Sequence, residues 1–338
     1  MHSNYGILLA GLGRRNEAET HFKTALEINP DDAEAHSNYS TLLADLGRRD
    51  EAETHYKRAL QINPDFAEAR SNYGNLLAHL GRRDEAETHY KRALQINPDY
   101  ALAHSNYGNL LADLGRRDEA ETHYRRAVEI NPDYAPAHSN YGVLLADLGR
   151  PDEAEAHYGR ALQINPDYAV AHLNYGNLLA HLGRRDEAET HFKRALEIDP
   201  DLALAHSNYG NLLADLGRRG EAETHYKRAL QINPDYAVAH LNYGLLLEEM
   251  GREDEMQEQM ALACACGLDS PTTTLEEMLK SVTRFIRLLV EQGRREKSLQ
   301  LCDYLIEFWR REGLERRAPE FVETMREVKA MIMRVDGE

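Results

Sequence analysis

Apolar and polar residues along most of this chain follow a helical period, and the pattern restarts every 34 residues, as Asn-Tyr at positions 38, 72 and 106 shows. In residues 67 to 100, AEARSNYGNLLAHLGRRDEAETHYKRALQINPDY, Ala69, Tyr73, Leu76, Leu77 and Leu80 fall at helical spacing. Ala86, Tyr90, Ala93 and Leu94 do so again after Gly81, which predicts two amphipathic helices joined by a short turn. Gly81 suits the left-handed position that closes the first helix. Asp84 is placed to cap or polarise the second, where a negative charge meets the helix dipole. Asn97-Pro98-Asp99 stops the second helix, and Asp99 is placed to cap the first helix of the next unit. Gly74, Ala86 and Ala93 stand where the two helices must approach, because larger side chains there would overpack the pair. Glu87 stands four residues from both Lys91 and Arg83, a spacing that predicts weak pairs of about 0.3–0.5 kcal/mol each on a solvated face.

Asn-Tyr recurs at Asn4-Tyr5, Asn38-Tyr39, Asn72-Tyr73, Asn106-Tyr107, Asn140-Tyr141, Asn174-Tyr175, Asn208-Tyr209 and Asn242-Tyr243. Such a period marks a stack of supersecondary units that bury apolar surface against their neighbours, so function is sought on a repeated surface. The 338 residues are therefore read as one array with a distinct end, not as two or three globular domains.

The unit length, the small Gly74 and Ala86, the following Tyr90 and Ala93 and the closing Pro98 resemble the tetratricopeptide repeat family. The resemblance implies an all-α, right-handed α-solenoid: a superhelix of 34-residue helix-turn-helix repeats with a C-terminal helical cap. It departs from the family in carrying His36, Arg70, His104, His138, His172, His206 and His240 where Trp is usual, and Tyr73 then Leu77 where Leu then Tyr is usual. Residues 1–268 hold eight repeats, the first truncated and the eighth diverged, with Met256 and Met260 in place of Ala and Tyr. Residues 269–274 read as a linker with a turn at Ser270-Pro271. Residues 275–338 read as a diverged ninth repeat, with Ile286, Leu289, Ser298 and Cys302 at packing positions, plus a capping helix bearing Phe321, Val322, Met325, Val328, Ile332 and Val335 in one stripe. The alternative for this end is a docking patch for an effector, built from Phe308, Trp309, Phe321 and Met325. No comparable cap precedes the first repeat, which leaves open a missing neighbour or self-association through that repeat.

On the first helix Glu68, Ser71, Asn72, Asn75 and His79 share a stripe, opposite Tyr73, Leu76 and Leu80. By resemblance this stripe lines a concave groove. Its first column varies from Glu34 and Glu68 to Leu102, Pro136 and Val170; its middle column holds Thr41, Asn75, Asn109, Val143, Asn177 and Asn211; its last holds Asp45, His79, Asp113, Asp147, His181 and Asp215. Exposed Arg-Arg and Glu-Thr columns stay fixed meanwhile, so the variation is read as diversification for binding. One polar column never changes: Asn38, Asn72, Asn106, Asn140, Asn174, Asn208 and Asn242. An amide offers donors and an acceptor, so a row of them can hold the backbone of an extended peptide. The row is similar to the asparagine ladder of the superhelical arrays of O-linked N-acetylglucosamine transferase and kinesin light chain. A bridging or capping role for each Asn is the structural alternative, compatible with ligand contact. The clamp by which some family members grip a chaperone tail needs Lys or Arg where this chain has Ser71, Asn72, Ser105 and Asn106, so that partner is not expected.

Charge and chemistry narrow the rest. The net charge is −17, with 26 basic against 39 acidic side chains in residues 1–250, so nucleic acid is a poor partner. No apolar run approaches the ~20 residues that span a bilayer, and the expectation is a chain with no membrane association in the cytoplasm. Cys264, Cys266 and Cys302 form no paired spacing and are expected as buried free thiols. The 16 histidines fall mostly in two columns, one with His36 and His104, the other with His21, His55, His89, His123, His157, His191 and His225. Stacking brings the columns together, but neither carries a carboxylate or thiol partner, so neither a metal nor any other cofactor is expected. No glycine-rich phosphate loop, activated nucleophile or unique acid pair occurs, and no catalytic residue is assigned. The expected role is a protein-interaction scaffold for an extended partner, with a regulatory adaptor or a self-assembling structural element as alternatives.

Overall fold

A computed structural model describes residues 2–268 and 274–334. The described residues form nineteen α-helices and one short 3-10 turn, with no strand among them. The helices come in pairs: α1 (His2–Gly11) with α2 (Arg15–Ile28), α3 (Ala33–Asp45) with α4 (Arg49–Ile62), α5 (Ala67–His79) with α6 (Arg83–Ile96), α7 (Ala101–Asp113) with α8 (Arg117–Ile130), and α9 (Ala135–Asp147) with α10 (Pro151–Ile164). After α11 (Ala169–His181) and α12 (Arg185–Ile198) come α13 (Ala203–Asp215) with α14 (Arg219–Ile232), and α15 (Ala237–Glu249) with α16 (Glu253–Gly267). α17 (Leu275–Glu291), α18 (Arg295–Arg311), the 3-10 turn Leu314–Arg316 and α19 (Pro319–Arg334) follow. Two compact units divide the chain, residues 1–174 and 175–338, each taken by itself below. The expected turn at Ser270-Pro271, the rest of the linker apart from Thr274, and Val335 lie outside the described residues.

In the first unit α5 and α6 show how a pair is made. α5 ends in a Schellman motif, in which Arg82 N–H donates to Leu77 O at 2.9 Å and Gly81 N–H to Ala78 O at 3.0 Å. That geometry needs φ +76° at Gly81, a left-handed value that a residue with a Cβ takes only with strain. A Cβ on Gly74 would stand 2.9 Å from Tyr90 Cε1, so the two helices close over a fully buried ring, with Ala86 and Ala93 filling the remaining contact.

The caps differ from expectation. Arg82 holds the N-cap position of α6 and its guanidinium binds both Glu85 oxygens at 2.7 Å, while Asp84 lies inside the first turn and only polarises it. Tyr100, not Asp99, is the N-cap of α7. Asp99 donates its N–H to Asn97 Oδ1 at 3.2 Å and receives Arg126 Nη2 at 2.6 Å. Where the N-cap position itself is acidic, at Asp32, the side chain does accept from Ala35 N–H at 3.0 Å.

Glu87 does not lie on a solvated face. Its side chain is 15% exposed, enclosed by the next repeat, and it gathers Lys91 at 2.7 Å, Arg116 at 2.8 Å and the Tyr107 hydroxyl at 2.7 Å, so Arg83 is not its partner. Glu19 with Arg48 and Tyr39, and Glu53 with Arg82 and Tyr73, repeat the tie in this unit. Glu189 with Arg218 and Tyr209, and Glu223 with Arg252 and Tyr243, repeat it in the second. The first Arg of each fixed Arg-Arg pair and the Glu of each fixed Glu-Thr pair are thus inter-repeat ties, not an idle exposed face.

At the end of the second unit Thr274 and Glu277 form a capping box that starts α17. Ile286, Leu289, Ser298 and Cys302 are buried between α17 and α18. α19 lays Phe321, Val322, Met325, Val328 and Ile332 inward, and the Trp309 ring stacks on Phe321 at 3.9 Å. Phe308, Trp309, Phe321 and Met325 are therefore interior, from 0 to 7% exposed, and the docking patch expected of them is not on the surface. Their apolar area is consumed in holding α19 to α18. Cys264 and Cys302 are buried free thiols, whereas Cys266 is only half-buried.

Candidate functional site

The candidate stripe is built on the first helix of each pair. Asn72 and Asn75 are half-buried and Glu68 and His79 are exposed, but Ser71 is fully buried, as are Ser105, Ser139 and Ser207. The serine column therefore belongs to the packing between neighbouring first helices. The last column is open to solvent at Asp45, His79, Asp113 and Asp147 in the first unit and at His181 and Asp215 in the second.

The amides divide into spent and unspent groups. In the middle column the hydroxyls of Tyr90, Tyr124 and Tyr226 donate to Asn75, Asn109 and Asn211 Oδ1 at 2.5, 2.6 and 2.6 Å, fixing each amide from below. Asn140 Nδ2 donates to Asn109 Oδ1 at 3.0 Å, and within the second unit Asn208 Nδ2 donates to Asn177 Oδ1 at 2.9 Å. Asn174, facing Val143 rather than an amide, reaches Ser139 Oγ at 3.4 Å. Asn106 Nδ2 is buried and has no partner. The bridging role weighed for the ladder is thus real at Asn140, Asn174 and Asn208, while Asn106 keeps an unmet donor, a costly state away from water.

Between α3 and α5 the stripe opens into a hollow of about 380 Å³, lined by Thr41, Ala44, Asp45, Arg49, Tyr56, Asn72, Asn75, Leu76 and His79. It forms where the middle column holds Thr41, shorter than Asn and bonded to the Tyr56 hydroxyl at 2.9 Å. Carboxylate, guanidinium, imidazole and amide groups converge there on an apolar floor, a lining that suits a polar chain segment.

The histidine columns meet as pairs. His36 Nδ1 lies 2.8 Å from His55 Nδ1, with His104–His123 at 2.8 Å, His138–His157 at 2.9 Å and, in the second unit, His206–His225 at 2.9 Å. His104 Nε2 faces the Pro98 carbonyl at 3.0 Å. A carbonyl only accepts, so that nitrogen carries the proton and His123 donates to His104 Nδ1. Burial first, then the neighbouring histidine, pushes His123, His157 and His225 down to about 4. Where Arg70 replaces His, it donates to Pro64 O instead, and His89 Nδ1 is left buried without a partner. Among the described residues no cluster of three or more His, Cys, Asp or Glu is placed to hold a metal ion. No helix among them is long and apolar enough to cross a membrane.

The tetratricopeptide repeat family profile matches residues 1–65, 65–133, 99–167, 133–201 and 167–233, and a second profile of the same repeat matches 225–258. No curated protein matches. Among solved structures, YrrB, described as a TPR protein with an unusual peptide-binding site, is 28% identical over 54% of this chain and 95% of its own, at a TM-score of 0.40. PilW, described as a widely conserved type IV pilus biogenesis factor, is 25% identical over 63% of this chain and 98% of its own, at 0.54. The Cut9–Hcn1 hetero-tetramer of the APC/C is 15% identical over 79% of this chain and 52% of its own, at 0.65.

Proposed function

Because the chain belongs to the tetratricopeptide repeat family, we propose that it is a protein-interaction scaffold that holds an extended peptide or protein segment along its first-helix face. The carrying observation is where polar groups are left unspent. The tied Arg and Glu side chains and most of the His column are bound within the array, His89 excepted, whereas the first-helix face keeps the open hollow beside Asn72, whose amide is bonded to nothing internal. An extended segment supplies a carbonyl for the Asn72 amide in the hollow, and the variable columns, from Asp45 to Asp147, set its side-chain preference. Each contact contributes about 0.5–1.5 kcal/mol, so several are needed to offset the ordering of a flexible segment, and micromolar affinity follows. We read no catalytic role and no cofactor in it: the Cys264 and Cys302 thiols are buried and pushed up to about 12.

The test is a displayed library of extended peptides, followed by fluorescence anisotropy on the best binder. Asn72→Ala with Asn106→Ala, neither amide being bonded internally, is expected to weaken binding at least about tenfold at an unchanged melting temperature. Equal affinity in that double variant contradicts the reading. Asn140 and Asn208 are poorer choices, because removing either also breaks a bridge to the neighbouring repeat.

A further inference from the structure

Charge is unevenly spread over the first-helix face of the first unit. α3, α5, α7 and α9 carry the carboxylates Glu34, Asp45, Glu68, Asp113 and Asp147, which form no ion pair among the described residues. Against these the four helices set one arginine, Arg70, whose guanidinium is spent on the Pro64 carbonyl at 2.6 and 2.9 Å. Arg49, Arg83 and Arg117 stand exposed on the rim, at the start of the second helices. The hollow between α3 and α5 encloses part of this charge. Asp45 lines it, and burial pushes the Tyr56 phenol on its floor up to about 12; the hydrogen bond with Thr41 opposes the rise, and the charges of Asp45 and then Glu68 add to it. Arg49 reaches the hollow only at its exposed mouth and is bonded to no carboxylate among the described residues. The floor is therefore acidic, and its unpaired carboxylate attracts positive charge.

Further along the same face the columns turn apolar. Glu34 and Glu68 give way to Leu102, Pro136 and Val170 in the first column, and Thr41 and Asn75 give way to Val143 in the middle one. Val143 and Val170 are 38% and 39% exposed, a ledge of branched side chains whose burial favours an apolar partner. Packed helices lie about 8–10 Å apart, so Val143 stands about 20–25 Å from the hollow, a distance that about six to eight residues of extended chain span. With the first-helix face as the binding surface on which this rests, we propose that its occupant is a basic segment: an extended stretch of another protein whose Lys or Arg enters the hollow against Asp45, with a branched apolar residue about six to eight positions away on Val143 and Val170. The cation meets the Asp45 carboxylate and the Asn72 amide oxygen, and Arg49 at the mouth donates to a backbone carbonyl of the segment.

The test measures binding of the intact chain to an array of peptides of about twelve residues, Ser and Thr throughout except for one Lys, Arg, Gln or Glu and one Val, set about two to ten positions apart in either order. Lys and Arg probes with a spacing of about six to eight are expected to bind at least about tenfold more tightly than their Glu counterparts, by a margin that shrinks as salt is added. Asp45→Lys should reverse the preference toward the Glu probe at an unchanged melting temperature. Val143→Asn, which restores the amide of the neighbouring repeats, should abolish the preference for Val. Glu probes bound as tightly as Lys probes, a Lys preference that survives Asp45→Lys, or no binding by any probe at about 1 mM overturns the proposal. The peptide selected from the displayed library, measured alongside, separates this failure from that of the groove. If that peptide still depends on Asn72 while the array shows no preference for Lys over Glu, the basic segment is wrong and the groove stands; if it is indifferent to Asn72→Ala, both fall.

Discussion

Glu87 joins three chain segments at one carboxylate. Hydrogen bonds from Lys91 and then Arg116 outweigh its burial and hold its pKa down at about 2. Its folded value is depressed, so its contribution is complete above the ordinary 4.5 and is lost as pH falls from there toward 2. Arg116→Ala leaves this enclosed carboxylate with fewer donors, and a loss of about 1–3 kcal/mol is expected in urea unfolding. Gly74→Val puts a branched side chain where a single Cβ already stands 2.9 Å from Tyr90; overpacking of about 1–3 kcal/mol should appear as a lower melting temperature, which Tyr90→Ala in the same chain relieves in part. Gly74, Gly81 and Ala86 were legible in the sequence because helix approach and helix termination are local demands. Glu87 and Ser71 were not, because their burial is imposed by residues about 30 positions away in the next repeat.

The histidine pair is the link between the two helices of a repeat. Facing His123 are His104 on the first helix and Glu119 and Arg116 on its own side, and burial is the leading cause of its fall to about 4. A folded value below the ordinary 6.5 means that the unfolded chain takes up protons first, so stability is complete above 6.5 and declines as pH falls from 6.5 toward 4. After discounting for solvent screening, about 1 kcal/mol per pair is at stake, and thermal melts at pH 7.5 and 5.0 should show a drop that grows with the number of pairs. The eighth repeat carries Gln259 where others carry His, and it bonds His240 Nδ1 at 2.6 Å. His123→Gln is therefore expected to fold normally and reduce the pH dependence; an undiminished drop contradicts the assignment. The two columns and their approach were visible in the sequence, whereas the Nδ1–Nδ1 contact and the proline carbonyl depend on helix crossing that spacing alone does not give. The ladder behaved similarly. Its position on the first helix followed from 3.6-residue periodicity, but which amides are spent depends on side-chain geometry that spacing does not give: Asn140 bonds Asn109, 31 residues earlier, whereas Asn106, with Asn75 at the same interval, keeps its donor unmet.

At the scale of the molecule, stability is a sum of contacts between neighbours, so damage at one end is expected to stay there. Trp309→Ala opens a cavity under Phe321 and costs about 3–5 kcal/mol locally. Hydrogen exchange should then rise in α17 to α19 while α3 to α6 keep their protection, and a uniform rise contradicts this account. The central claim is that the first-helix face, not the tied second-helix face, meets the partner. It is tested most directly by following the side-chain amide NMR signals of the asparagines while the selected extended peptide is added. The account predicts that Asn72, Asn75 and Asn106 shift in a saturable way while Asn63, Asn97 and Asn131, in the turns after the second helices, stay still. Shifts confined to those turn asparagines, or none at saturating peptide, would contradict it.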